Sequence, residues 1–283
     1  MAEDRRPRRD FEPRDRRNSG DSRGPKSFGK PGSDKPRPKW EERVGSREDF
    51  ANKPKSPLVP EAITAMDLPM PLRAQLKTLT AENAEETARH LVMVRMLGET
   101  DPELALAHAK AAASRAGRIA FIRETLGVVA YAAGEYTLAL RELLAHRRAT
   151  GSNDQLPLIV DSERGLGRPQ RAIDEGKAVD RSKLEASVRV NLAIALSGAR
   201  LDLGQKELAL VELEIKELDP ANVFEYSVPL FWAYSDTLEE LGRTQDAKKW
   251  ADLATRAEAH FFAEPEGEQE AISILEEVEL PDA

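Results

Sequence analysis

Residues 126–145, LGVVAYAAGEYTLALRELLA, read as one helix, a tight turn and a second helix. Gly134 ends the first helix. Ala139 and Leu143 then set a small and a large apolar residue on one face of the second, at the i, i+4 spacing that makes helical neighbours. The same turn recurs downstream in GLGRPQRAIDEG (165–176), DLGQKELALVEL (202–213) and ELGRTQDAKKWA (240–251). Gly134, Gly167, Gly204 and Gly242 are 33, 37 and 38 residues apart, and each is followed five residues later by an alanine: Ala139, Ala172, Ala209 and Ala247. A period in this range, built from helix pairs, is the sequence signature of an α-solenoid.

Working outward, each pair has its own start and stop signals. Upstream, Thr80 caps a helix with Glu82, Glu85 and Glu86 early in it, facing the positive end of the dipole. That helix runs to Leu97 and closes at Gly98. Asp101-Pro102 opens the next, with Asp101 as N-cap and Pro102 at the first position. Ala105, Ala109 and Ala112 line its inner face. In the second pair the packing stripes are Ile119, Ile122, Leu126, Val129 and Ala130, then Leu138, Ala139, Leu143 and Leu144. The third pair starts near Gln155, turns at Gly167-Arg168-Pro169 and continues to Val179. The fourth runs from Leu184 to Leu201, turns at Gly204 and ends at Asp219-Pro220. The fifth runs from Val228 to Leu241, turns at Gly242 and ends near His260. The repeated alanines let helices approach closely, and a larger side chain there would overpack the contact.

This spacing resembles the tetratricopeptide repeat, a helix pair of about 34 residues. Leu126-Gly127, Gly134, Tyr136, Ala139 and Leu143 match its pattern. So do Leu196-Ser197, Gly204, Ala209, Leu213 and Pro220, and Tyr234-Ser235, Gly242 and Ala247. The 153–186 unit matches at Gly167 and Ala172, and the 86–119 unit matches at Ala105 without a turn glycine. More closely, ENAEETARHLVMV (82–94) and DPELALAHAKAAASRAGRIA (101–120), following an Arg-rich tail, resemble a group of actinobacterial tetratricopeptide-repeat proteins with no assigned activity. The resemblance implies an all-α, right-handed α-solenoid of about five helix pairs over residues 81–263. It implies a bacterial cytoplasmic protein.

The flanks differ from this body. Residues 1–56 carry 17 Lys/Arg and 11 Asp/Glu, net +6, whereas 57–283 carry 25 and 39, net −14. The arm has isolated large apolar residues, no period and many prolines, so it is expected to be disordered. Arg5, Arg6, Arg8, Arg9, Arg14, Arg16, Arg17 and Arg23 could neutralise phosphates, and Phe11, Phe28 and Trp40 could stack on unpaired bases. The same composition suits a solubilising tail or a peptide ligand for another protein. Residues 57–80 read as a short segment that caps the first repeat, or as a docking motif, with Pro71 opening a helix to Leu79. The tail at 264–283 has eight acidic residues and no basic ones, and reads as a capping helix or a solvated acidic tail.

Chemistry is sparse. The absence of cysteine removes disulfides, thiolate metal sites and thiol nucleophiles, and fits a reducing compartment. No stretch approaches the roughly 18 apolar residues of a membrane span, and the Arg pairs at the start lack the apolar run of a secretory signal. His90, His108, His146 and His260 show no metal spacing; the first three are expected as surface or satisfied packing residues. No catalytic, metal or cofactor residues are expected, and the protein is expected not to be an enzyme.

Stacked pairs present their first helices on a concave face, the usual ligand surface of solenoids. Glu124, Val128, Tyr131, Asp161, Arg164, Asn191, Trp232, Asp236 and Glu239 are the candidate groove residues. Some tetratricopeptide proteins hold a peptide's terminal carboxylate with Lys, Arg and Asn; near those positions stand Glu124, Val128, Asp161 and Asp236, which argues against such a clamp. An acidic-aromatic groove suits a basic or apolar segment, including the chain's own arm. Phe231 and Tyr234 are expected in the core between repeats, and Trp232 is divided between core and groove. The leading expectation is a protein-interaction scaffold or adaptor in the cytoplasm, with no membrane contact. The alternative is an RNA- or ribosome-associated factor acting through the arm. The sequence leaves the oligomeric state open.

Overall fold

The structure is a computed structural model and describes residues 56–262. The expected phosphate-contacting residues from Arg5 to Arg23, Trp40, and the acidic tail at 264–283 lie outside the described residues. Among those described there are eleven α-helices and no strand. After α1 (Met70–Gln75) come α2 (Ala81–Leu97) and α3 (Pro102–Ala116), α4 (Ala120–Ala132) and α5 (Tyr136–Thr150), and α6 (Leu156–Gly165) and α7 (Pro169–Lys177). The remaining helices are α8 (Ala186–Asp202), α9 (Lys206–Leu213), α10 (Ser227–Glu240) and α11 (Thr244–Phe262). Each helix from α2 onward packs on its successor, and α4–α6, α6–α8 and α8–α10 also touch.

Four of the five turns within these pairs share one hydrogen-bond pattern. After α4, the Gly134 N–H donates to the Tyr131 carbonyl at 2.9 Å and the Glu135 N–H to the Ala130 carbonyl at 2.8 Å. Gly167 with Arg168, Gly204 with Gln205, and Gly242 with Arg243 repeat both bonds at 2.8–2.9 Å. This is the Schellman arrangement, which satisfies carbonyls left open at a helix end and needs a left-handed residue at its centre. The glycines supply it with φ of 74°, 71°, 71° and 73°. The residue after each glycine is the N-cap of the next helix, so chain reversal is complete within one turn. The α2–α3 turn uses another solution. Gly98 stays right-handed, and the Asp101 carboxylate accepts the Leu104 N–H at 2.9 Å with Pro102 at the helix start.

Burial follows from that geometry. Ala139, Ala172, Ala209 and Ala247 are all completely inaccessible. Within the second pair the helices meet so closely that a Cβ on Gly127 would lie 2.6 Å from Leu143 Cδ2. Phe231 and Tyr234 are core residues, both edge-on to Trp250 of α11, with ring centroids 5.2 and 4.9 Å away. The leading segment is held by its own apolar residues and by one side chain. Leu68 and Leu76 are buried with Leu91 and Val92 of α2. Arg89 donates from Nε to the Ile63 carbonyl at 2.7 Å and from Nη2 to the Pro60 carbonyl at 3.0 Å.

Two segments depart from expectation. The helix opened by Pro71 stops at Gln75 and tightens into a 3₁₀ turn over Leu76–Thr78, which turns Leu76 into the core. The second helix of the fourth pair stops at Leu213, six residues before Asp219. There the Ile215 N–H bonds the Leu213 carbonyl at 2.8 Å, a γ-type turn. The turn lets Ile215 and Leu218 pack against the last core and brings the buried Glu217 carboxylate onto Arg189 Nε at 2.8 Å. Tertiary contacts there outweigh the local helical pattern.

Three substitutions separate backbone from packing. Nothing lies within 4 Å of a Cβ at Gly134, so Gly134→Ala carries only the left-handed penalty, about 1–2 kcal/mol. Gly127→Ala and Ala139→Leu each overpack the helix contact, by about 1–3 kcal/mol. Urea unfolding midpoints should fall for all three variants, while a leucine at the exposed Ala132 leaves the midpoint within experimental scatter.

Candidate functional site

The helix register carries polar residues of three successive first helices to one place. Tyr131 sits in the last turn of α4, Asp161 and Arg164 follow one another at i, i+3 on α6, and Asn191 is in the second turn of α8. Together with Asp154, Gln155, Pro157, Leu158, Ile194 and Ala195 they line a recess of about 540 Å³. A second recess of about 440 Å³ shares Asp161 and Arg164 and is completed by Tyr136, Gly165, Gly167, Pro169 and Asp202.

The polar walls are tied together. The Tyr131 hydroxyl donates to Asp161 Oδ2 at 2.5 Å, and Arg164 Nη1 donates to Asp161 Oδ1 at 2.6 Å. Arg164 Nε donates to Asp202 Oδ2 of α8 at 2.6 Å, so one guanidinium links α6 to α8. Gln155 Nε2 donates to Glu124 Oε1 of α4 at 2.9 Å. Two glycines make room for this arrangement. A Cβ at Gly198 would stand 2.8 Å from Arg164 Nη1, and one at Gly165 would stand 2.6 Å from the Tyr136 ring, which packs edge-on to Tyr131. Burial and the Asp161 bond push the Tyr131 hydroxyl pKa up, so it stays a donor across the usual pH range. Burial disfavours the Arg164 charge, but Asp202 and Asp161 outweigh it and its pKa rises.

Tyr131, Asp161, Arg164 and Asn191 therefore share one recess, and Glu124 reaches its edge through Gln155. Val128 is half-buried on α4. Trp232, half-buried, and Asp236 and Glu239, both exposed, lie on α10 and do not line this recess. Sequence reading missed Asp202, Gln155 and Gly198. Asp202 lies 38 residues from Arg164, beyond any local pattern, but Gly198 inside a helical run is a signal, since an interior helix glycine marks a close approach. The arrangement offers charged hydrogen-bond donors and acceptors beside apolar Pro157, Leu158 and Ile194. It contains no nucleophile set against a base. Among the described residues no group of three or more His, Asp or Glu side chains could hold a metal ion, and no helix is long and apolar enough to cross a membrane.

The first three histidines are packing residues. His90 of α2 and His108 of α3 are both buried, with their Nδ1 atoms 2.9 Å apart. One Nδ1–H donates to the other's lone pair, so the two rings carry opposite tautomers. His146 bonds the Ala120 carbonyl through its own Nδ1 at 3.1 Å. Burial, then the neighbouring His108 and Arg115, depress His90 to about 4; burial also lowers His108. The folded chain thus binds fewer protons than the unfolded one between the ordinary histidine pKa and about 4. The pair's contribution is whole above pH ~6.5 and is lost as pH falls toward 4. Thermal midpoints should drop between pH 6.5 and 5, and His90→Asn should flatten that slope.

No family model, curated protein or solved structure matches the chain.

Proposed function

We propose that the protein is a non-enzymatic interaction scaffold, a right-handed α-solenoid of tetratricopeptide-like helix pairs that holds a basic or apolar segment of a partner protein. The observation that carries this reading is the recess shared by Tyr131, Asp161, Arg164 and Asn191. Four repeated glycine turns and the contacts between the first helices of neighbouring pairs support the solenoid. Four carboxylates at or beside the recesses (Glu124, Asp154, Asp161 and Asp202) stand against the single Arg164 guanidinium, a balance that favours a cationic guest. Pro157, Leu158 and Ile194 give apolar area to the same guest. The absence of cysteine fits a reducing compartment, and we assign the protein to the cytoplasm. The resemblance to actinobacterial tetratricopeptide-repeat proteins belongs to the same proposal.

A second reading rests on the arm. Its 17 Lys/Arg against 11 Asp/Glu, interleaved with Phe11, Phe28 and Trp40, favour RNA or ribosome contact. The two readings differ in salt response, because each phosphate neutralised releases a counterion. Full-length protein immobilised as bait separates them. A scaffold retains partners after nuclease treatment and at raised salt, and loses them on Asn191→Arg, which puts a cation into the recess. Partners released by nuclease and indifferent to Asn191→Arg would contradict the scaffold reading and favour the arm.

A further inference from the structure

A second large recess shares no residue with the proposed docking site. It measures about 950 Å³ and lies where the end of α3, the start of α4 and the face of α5 meet. Lys110, Arg115, Arg118, Arg123 and Arg141 stand on its walls, against one carboxylate, Glu142. Residues 56–262 as a whole carry 25 Lys/Arg and 31 Asp/Glu, net −6. Five cations with one acid are therefore a local reversal of the body's charge.

The one acid organises the cations more than it neutralises them. Glu142 is nearly buried; its Oε2 accepts from Arg123 Nη1 at 2.9 Å and its Oε1 from Arg141 Nε at 2.8 Å. A guanidinium has five donors, so each arginine bonds Glu142 with most of its N–H groups uncommitted among the described residues. Arg115 bonds the Ala111 carbonyl at 3.2 Å through Nη1. Lys110 and Arg118 make no hydrogen bond or ion pair with any described residue and are exposed. The walls thus hold two arginines bonded to Glu142 and two cations with no partner among the described residues, around one volume of ligand size.

We propose that this recess binds a compact polyphosphate group, as carried by a small phosphorylated metabolite. The charge density selects the class. A net excess of four positive charges around about 950 Å³ asks for several negative charges within a few ångströms, which a di- or triphosphate supplies and isolated carboxylates do not. Among the described residues no aromatic side chain lines the recess, so recognition there falls on the phosphates and not on a stacked base. Arg123 and Arg141 would each present a guanidinium fork to phosphate oxygens, and Lys110 and Arg118 would close on the remaining charge.

Isothermal titration of the full chain with inorganic triphosphate tests the proposal. Saturable one-to-one binding is expected, weakening with salt. Lys110→Gln/Arg118→Gln, at two exposed positions, should lower the affinity about tenfold or more. Arg5→Gln/Arg6→Gln, in the arm, should leave it within about twofold of the parent. Matched thermal midpoints establish that the variants fold. No saturable binding at millimolar triphosphate, or binding that survives the recess variant and is lost with the arm variant, would overturn the proposal.

Discussion

At four turns within helix pairs a glycine holds φ near +70°, and the helix packing depends on it. The Schellman turn closes the last carbonyls of one helix and commits the chain to start the next within two residues. A side chain at that position would oppose the left-handed conformation, and any longer loop would let the second helix slide along the first. With the turn fixed, an alanine always arrives at the same place in the second helix and is always fully buried. The short reach of its methyl group sets the distance between helices, and larger residues such as Leu143, Leu196 and Leu213 fill the space around it.

The recesses follow from the same regularity. First helices of neighbouring pairs touch, so residues of α4, α6 and α8 converge. The convergence would place like charges together if it were not neutralised from within. Arg164 does this by bridging Asp161 and Asp202, and Gly198 leaves the space that its guanidinium occupies. Elsewhere similar ties join helices within and between pairs. Arg147 of α5 meets Glu175 of α7, and Glu212 of α9 takes Arg181 and Arg200. Burial opposes the Glu212 charge, but Arg181 and its neighbours outweigh that and hold its carboxyl below the usual range. Such pairs orient what they join more than they add to stability.

How much of this was legible depends on the range of the interaction. The turn glycines, the buried alanines and the caps at Thr80 and Asp101 are local, and sequence spacing places them. Tyr131, Asp161, Arg164 and Asn191 could be nominated together because each lies on the first helix of its pair. The end of α9 at Leu213 was not legible, because it is decided by Ile215, Leu218 and the Glu217–Arg189 pair, which form only in the packed chain. His90 and His108 are 18 residues apart on different helices, and only packing shows that they face each other. The basic recess is equally hidden. Its cations come from three helices and a loop, and in sequence each looks like an ordinary surface charge.

Hydrogen–deuterium exchange of the full chain, alone and with a captured partner, tests the central claim that ligands dock where α4, α6 and α8 converge. The account predicts that added protection concentrates in three segments: around Tyr131, over 155–164, and over 191–195. Protection confined to residues 1–56, with those three segments unchanged, would contradict it.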